Sequence, residues 1–281
     1  MQKMPKKYYA FFTLPTVIAF SIAFLIPFIL GIYLSFTRFT TVTNSQWIGA
    51  ANYIRAFTDD NNFLNAAVFT VKFAVVSIIL INVLAFFLAL LLTRKIKGTN
   101  LFRTVFFMPN LIGGIVLGYI WQLIINGILL NFGVDITYSA NYGFWGLVVV
   151  LNWQMVGYMM IIYIAAIQNI PTELIEAAKI DGANGWQIIR SITIPMVMPA
   201  ITICTFLTVT NSFKLFDQNL ALTAGAPARA SSMLALDIYT TFYGRMGYEG
   251  VGQAKAVIFS LFVALIALLQ IRLTRTKEVE S

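Results

Sequence analysis

Apolar residues in this chain come in long unbroken runs, not in the alternation of a half-buried strand. Six runs stand out, roughly 10–36, 65–93, 104–126, 144–168, 195–217 and 252–272. A helix needs about 20 apolar residues to cross the hydrocarbon core of a bilayer. In lipid the backbone polar groups must be paired within their own segment, so each run is expected to form a membrane-spanning helix. An outer-membrane barrel would instead show alternating segments of about ten residues, and none are visible. The first, third and fourth runs are uncharged throughout. Lys72 lies near the start of the second, where its stem can snorkel to the interface. Lys214 lies near the end of the fifth, and Lys255 near the start of the sixth. Pro15, Pro27 and Pro109 read as tolerated kinks, which membrane helices carry more often than soluble ones.

One interruption is unlike the others. The segment "NIPTELIEAAKIDGANGWQIIRSITIP", 169–195, is charged and punctuated by glycine, and it separates two of the most apolar runs. Pro171 suits the start of a helix, where its missing donor costs nothing. Glu173 and Glu176 sit toward the positive end of that helix. Glu176 and Lys179 are spaced to pair. Gly182 is placed to end the helix in a left-handed cap, and Asn184 can cap a second short helix. Ala177 and Ala178 are small enough to let another surface approach the backbone closely. The segment therefore reads either as a rod for the cleft of a partner protein or as an interfacial loop packed on its own bundle. A second pattern, Met233, Leu236, Tyr239 and Tyr243, predicts a short amphipathic helix at the membrane surface or on the bundle.

Composition agrees with a lipid solvent. The 281 residues are 59% hydrophobic and only 11% charged, against about 25% charged in soluble proteins. The net charge of +8 is scattered in short clusters between apolar runs. That suits anionic headgroups and gives no patch for nucleic acid. Lys3, Lys6, Lys7, Arg94, Lys95, Lys97, Arg103, Lys179, Arg190, Arg272, Arg275 and Lys277 fall on one side of the expected bundle. Arg38, Arg55, Arg229 and Arg245 fall on the other. The basic excess predicts that both termini and the 169–194 segment are cytoplasmic, in a multi-pass protein of the cell membrane. The first run is too long for the apolar core of a signal peptide and is read as a retained helix. There is no histidine, and the single cysteine, Cys204, cannot close an intrachain disulfide. No Gly-Lys dipeptide occurs, so there is no phosphate-binding P-loop. With no G-x-S-x-G and no clustered carboxylates in a span either, an enzyme is not expected.

Glu176-Ala177-Ala178, then Asp181-Gly182-Ala183, then Ile194-Pro195 resemble the EAA loop of ABC-transporter permease subunits. Other stretches are similar to the first of the two permease types in its carbohydrate-uptake branch. They are "WIGAANYIRAF" (47–57), "FRTVFFMPNLIGGIVLGYIWQLIIN" (102–126), "NSFKLFDQNLALTAGAP" (211–227) and "LALDIYTTFY" (234–243). The resemblance covers most of the chain. It departs at Ala224 and Ala226, where the family often has glycine. It implies an all-α, polytopic fold, the MetI-like permease fold, with six transmembrane helices in one domain, 1–281, and a cytoplasmic coupling helix. Its coupling loop would span 169–194, with Glu176, Ala177, Ala178, Asp181 and Gly182 seated in an ATPase. The implied partners are a second homologous permease, two ATP-binding subunits and an extracytoplasmic sugar-binding protein, all working in membrane lipid. ATP and Mg would sit on the ATPase subunits, with no cofactor or metal on this chain.

Polar residues deep in a membrane are expensive and often functional. Asn152, Trp153, Gln154 and Tyr158 lie in the fourth run. Thr208, Thr210, Asn211, Ser212 and Lys214 lie in the fifth, and Trp121, Gln122 and Asn126 in the third. The resemblance of Gly157–Met160 to a P-Y-M-M of maltose-type permeases carries a sugar contact to Tyr158. The similar region after the coupling loop adds Asn211, Thr208 and Ser212, and Asn152 completes the candidate set. The alternative for each is an interhelical hydrogen bond. Lys214 and Asp217, three residues apart, are expected to pair with each other. An ion-coupled secondary transporter using Lys72, Lys214 and Asp217 is the competing function; it leaves the EAA segment unexplained.

Overall fold

The computed structural model describes residues 6–41, 43–59, 62–94 and 97–275. Lys3, Lys95 and Lys277, counted above among the cytoplasmic basic residues, lie outside them. Helix α1 (Lys6–Phe20) runs through a π turn, Ser21–Leu25, into α2 (Ile26–Ser35). A two-stranded hairpin follows, β1 (Thr37–Thr41) and β2 (Asn44–Trp47), then α3 (Ala51–Thr58) and the long α4 (Asn62–Leu92). Next come α5 (Thr99–Phe107), α6 (Gly114–Leu129) and α7 (Ala140–Gln168). The 169–195 segment supplies α8 (Thr172–Ile180), α9 (Gly185–Ile188) and the start of α10 (Ile194–Met196). The chain ends with α11 (Met198–Phe213), α12 (Asp217–Leu222), α13 (Leu234–Gly244) and α14 (Glu249–Arg275).

Among the described residues, five segments are long and apolar enough to cross a bilayer: Phe11–Ser35, Asn62–Leu92, Gly114–Phe132, Ala140–Gln168 and Glu249–Gln270. A sixth is a bent pair, Gly185–Met196 with Met198–Phe213, at 71° to each other. The count matches six spans if the bent pair is one. Two expected spans differ in detail. The run 104–126 is not one helix: α5 stops at Phe107, a 3₁₀ turn covers Met108–Leu111, and α6 starts at Gly114. Pro109 lacks an N–H and Gly113 is extended, with φ −61 and ψ 142, so the helical ladder lapses there. The run 195–217 ends as a helix at Phe213, and its apolar partner reaches back to Gly185.

Pro27 and Pro195 are accommodated by a shared device. Ile26 N–H bonds to Ser21 O, five residues back, just before Pro27. Ile194 N–H bonds to Ile189 O in the same register, just before Pro195. A proline ring clashes with the carbonyl four residues earlier, and one wide turn moves that carbonyl aside.

The chain packs as two compact units, one running through Phe63 together with Ile238–Ser260, the other Leu64–Asp237 together with the chain from Leu261. In the first unit, the W-x-G-x-x-N-Y stretch caps the first span. Asn52 Nδ2 donates to Ser35 O (3.0 Å) and Thr37 O (2.8 Å), and Tyr53 Oη lies 2.7 Å from Ser35 Oγ. Trp47 stacks on Phe36, with centroids 5.4 Å apart. Gly250 lies so close to Asn52 that a Cβ there would sit 2.6 Å from Nδ2. Lys255, buried in α14, donates to Thr241 Oγ1 at 2.9 Å and lies 5.2 Å from the Phe63 ring.

In the second unit α7 is the central helix. Leu147, Leu151, Met159, Met160 and Tyr163 are buried on it, and Phe73, Ile81, Ala85 and Cys204 join the same core. Tyr163 Oη donates to Asn82 Oδ1 (2.7 Å), Asn82 Nδ2 reaches Thr208 Oγ1 (3.5 Å), and Thr208 donates to Cys204 O (2.7 Å). That chain of bonds ties α4, α7 and α11, as polar groups do where lipid offers no partner. Gly157 is a second tie. A Cβ there would collide with the backbone of Phe106 and Phe107, so α5 crosses α7 at contact distance.

Candidate functional site

Two constructions in the second unit could carry function. The first is the charged segment. In α8, Glu173, Leu174, Glu176, Ala177, Lys179 and Ile180 are exposed, while Ile175 and Ala178 are half-buried. Its end is a Schellman motif: Ala183 N–H bonds to Ala178 O (2.9 Å) and Gly182 N–H to Lys179 O (3.1 Å). This places Gly182 at φ 81, where a side chain is strained. Asn184 then opens α9 with a reciprocal box: Gln187 N–H donates to Asn184 Oδ1 (3.0 Å), and Asn184 N–H to Gln187 Oε1 (2.7 Å). Pro171 is the N-cap of α8, with Leu174 N–H on its carbonyl at 3.3 Å. Glu176, Ala177, Asp181 and Gly182 are thus presented on an exposed rod and its elbow, with Ala178 half-covered. Glu176 and Lys179 form no ion pair within 4.0 Å; both face outward, where such a pair contributes only about 0.2–0.5 kcal/mol. Beneath the rod, Ala166, Asn169, Ile170, Pro171, Pro195, Met196 and Pro199 enclose a cavity of about 280 Å³.

The second construction is a polar cavity of about 330 Å³ at the break in the third span. Asn110 and Gly114 line it from the break, Gln154 from α7, Asn211 from α11, and Lys214, Asp217 and Gln218 from the turn into α12. Irregular backbone at membrane depth needs partners. Gln154 Nε2 donates to Ile112 O (3.1 Å), and Gln154 Oε1 accepts from Gln218 Nε2 (2.7 Å). Asp217 lies against the first residue of α6, for a methyl built on Gly114 would sit 3.1 Å from its Oδ2. A carboxylate is favoured at a helix N-terminus.

The expected Lys214–Asp217 pair does not form. Spacing of three brings side chains together on one helix, but Lys214 is the last cap of α11 and Asp217 the first residue of α12. Both are exposed to the cavity. Of the candidate sugar contacts, Asn211 lines this cavity, with Nδ2 donating to Leu207 O at 2.8 Å. Tyr158 is half-buried, its ring 6.4 Å from Phe107. Thr208 is buried in the interhelical chain. Ser212 is buried with Oγ unpartnered. Asn152 is buried and donates to Val148 O (2.7 Å), its Oδ1 unpartnered. These four do not line the cavity. Gln122 and Asn126 serve backbone, bonding Leu222 O (3.0 Å) and Ile136 N (2.9 Å). Asn110 and Gln218 were not singled out from sequence. The signal for Asn110 was present: a polar residue directly after a proline inside an apolar run.

The family described as "Binding-protein-dependent transport system inner membrane component" matches residues 97–277. The chain is 48% identical to the "Probable starch degradation products transport system permease protein AmyD" of Thermoanaerobacterium thermosulfurigenes, over 97% of this chain and 96% of that one. It is 30% identical to the "Multiple sugar-binding transport system permease protein MsmF" of Streptococcus mutans, over 99% of each. Its fold is similar, at a TM-score of 0.81 and 21% identity over 96% of each chain, to one in a bacterial ABC transporter that imports the acidic polysaccharide alginate. The chain belongs to the family of binding-protein-dependent transport system inner membrane components.

Proposed function

We propose that this chain forms half of the translocation pathway of an ATP-driven importer of sugar oligomers, and that its substrates are short α-glucans released from starch. The observation that carries the reading is the likeness over nearly the whole length to a permease for starch degradation products. The polar cavity supports it. Asn110, Gln154, Asn211 and Gln218 offer amide groups, and Lys214 and Asp217 offer charge-assisted bonds, a set that suits a polyhydroxylated ligand. In this reading Asn211 contacts sugar directly, Tyr158 flanks it, and Asn152, Thr208 and Ser212 hold the helices around it.

The partners are a second homologous permease, two ATP-binding subunits carrying ATP and Mg, and an extracytoplasmic sugar-binding protein. The neighbour solved with an oligosaccharide-bound periplasmic protein supports the last of these. Both termini and the α8 rod face the cytoplasm, as the basic residues indicate. There Glu176, Ala177, Ala178, Asp181 and Gly182 seat in an ATPase, and closure of the ATPase pair drives the bundle between its two access states. The test is reconstitution of the permease pair, ATPase and binding protein in proteoliposomes. Maltotriose uptake should require ATP and binding protein and ignore ion gradients. Uptake driven by an ion gradient without ATP would overturn the proposal in favour of a secondary transporter.

A further inference from the structure

The first unit carries an apolar surface that transport chemistry does not require. Helix α3 is sided. Asn52 and Ala56, one turn apart, are buried on one face. Ile54 and Phe57, three apart and therefore neighbours on the surface, are 62% and 52% exposed. The charged pair stands apart from that edge: Arg55 Nε bonds Asp59 Oδ2 at 2.9 Å, and the Arg55 guanidinium lies 4.4 Å from the Tyr248 ring. A helix with a buried face, a polar edge and an exposed apolar edge needs a third medium.

The neighbouring surface shows which medium. The apolar edge continues into the surface of the first span. Tyr53, next on α3, packs its ring 5.1 Å from Phe36. Phe36 stacks on Trp47 at 5.4 Å, and Trp47 lies 5.8 Å from Tyr33. Tyr33 belongs to α2, whose Phe28, Ile29 and Leu30 are exposed along with most of Phe11–Ser35. Trp47 itself is 62% exposed. Apolar surface that meets acyl chains along the span thus passes through an aromatic cluster onto α3 without a polar gap. Tyrosine and tryptophan favour the depth where chains give way to headgroups. A short sided helix with a basic and acidic edge beside them is built to lie in that plane.

We propose that α3 is an interfacial helix resting in the lipid surface, with Ile54 and Phe57 inserted among the upper acyl segments, Trp47 at headgroup level, and Arg55 and Asp59 turned to water. The occupant of this face is lipid. Its role is to fix the height of the first span in the bilayer, so that the span tilts without sliding.

The experiment uses the full chain in phospholipid nanodiscs. Single cysteines replace Ile54, Phe57 or, as the water-facing control, the exposed hairpin residue Thr40, and each is labelled with an environment-sensitive fluorophore. Cys204 is buried in the core and stays in place. Labels at Ile54→Cys and Phe57→Cys should emit at shorter wavelength than the Thr40→Cys label. Lipids spin-labelled high on the acyl chain should quench them, and aqueous iodide should not. Quenching by iodide and not by lipid would overturn the proposal. So would labels that leave water only when the second permease or the binding protein is added, an outcome that assigns the face to protein contact. None of these readouts depends on sugar uptake, so a failure here is separable from a failure of the transport reading.

Discussion

Gly182 occupies φ 81 because the chain must reverse at once after α8, and the Schellman bonds from Gly182 and Ala183 need that geometry. A residue with a bulky Cβ substituent pays about 1–2 kcal/mol for a left-handed backbone. A Gly182→Val variant should therefore fray the last turn of α8. Hydrogen exchange across 176–183 should quicken while exchange in α7 stays as it was; an unchanged rate at the elbow would show that the cap does not matter. Elsewhere a charge pair governs the chemistry of one residue. The Arg55 hydrogen bond, chiefly, holds the Asp59 carboxyl below its ordinary range. A lowered carboxyl stabilises the fold above its unfolded pKa, and that contribution is lost as pH falls through the folded value. The loop at Tyr248, which Asp59 also bonds at 3.3 Å, should loosen only in that acid window. A spin label at Met246→Cys should gain mobility there, and Asp59→Asn should remove the transition.

At the scale of elements, the crossing of α5 over α7 has the least slack. Gly157→Ala puts a methyl into the Phe106 backbone, and overpacking of this kind costs about 1–3 kcal/mol. The detergent-solubilised protein should melt at a clearly lower temperature. Gly127→Ala, where nothing lies within 4 Å, should leave the melting point level or higher, since alanine favours helix by up to about 1 kcal/mol. Equal effects would show that α5 yields freely. Much of this level was legible in the chain. Apolar runs marked the spans because lipid accepts nothing else, and Pro171, Gly182 and Asn184 marked the ends of the short helices because capping is local chemistry. The break at 108–113 was not legible. Apolar composition registers depth in lipid but not where a helix lapses. The Lys214–Asp217 pairing misled for a related reason: spacing arguments assume one continuous helix, and the helix ends between the two residues. The polar cavity followed from neither, because it gathers Asn110, Gln154 and Gln218 from three separate elements.

For the whole molecule, the separation between the rod and the polar cavity matters most. In the proposed function, work delivered at α8 would reach the cavity through α7, which runs into the rod, and through the bent segment that leaves it. Glu176→Lys should leave membrane insertion and ATPase binding to nucleotide intact while maltotriose uptake falls at least tenfold, with hydrolysis no longer stimulated by the loaded binding protein. Normal stimulated uptake in that variant would rule out α8 as the point where energy enters.

The capping bonds of the rod and its elbow close within 171–187: the Pro171 cap, the Gly182 reversal and the Asn184–Gln187 box. These capping bonds reach no other element, while Ile175 and Ala178 rest half-buried. If the rod seats in an ATPase as proposed, an exchange of those seventeen or so positions between relatives should carry motor recognition with them while substrate choice stays behind.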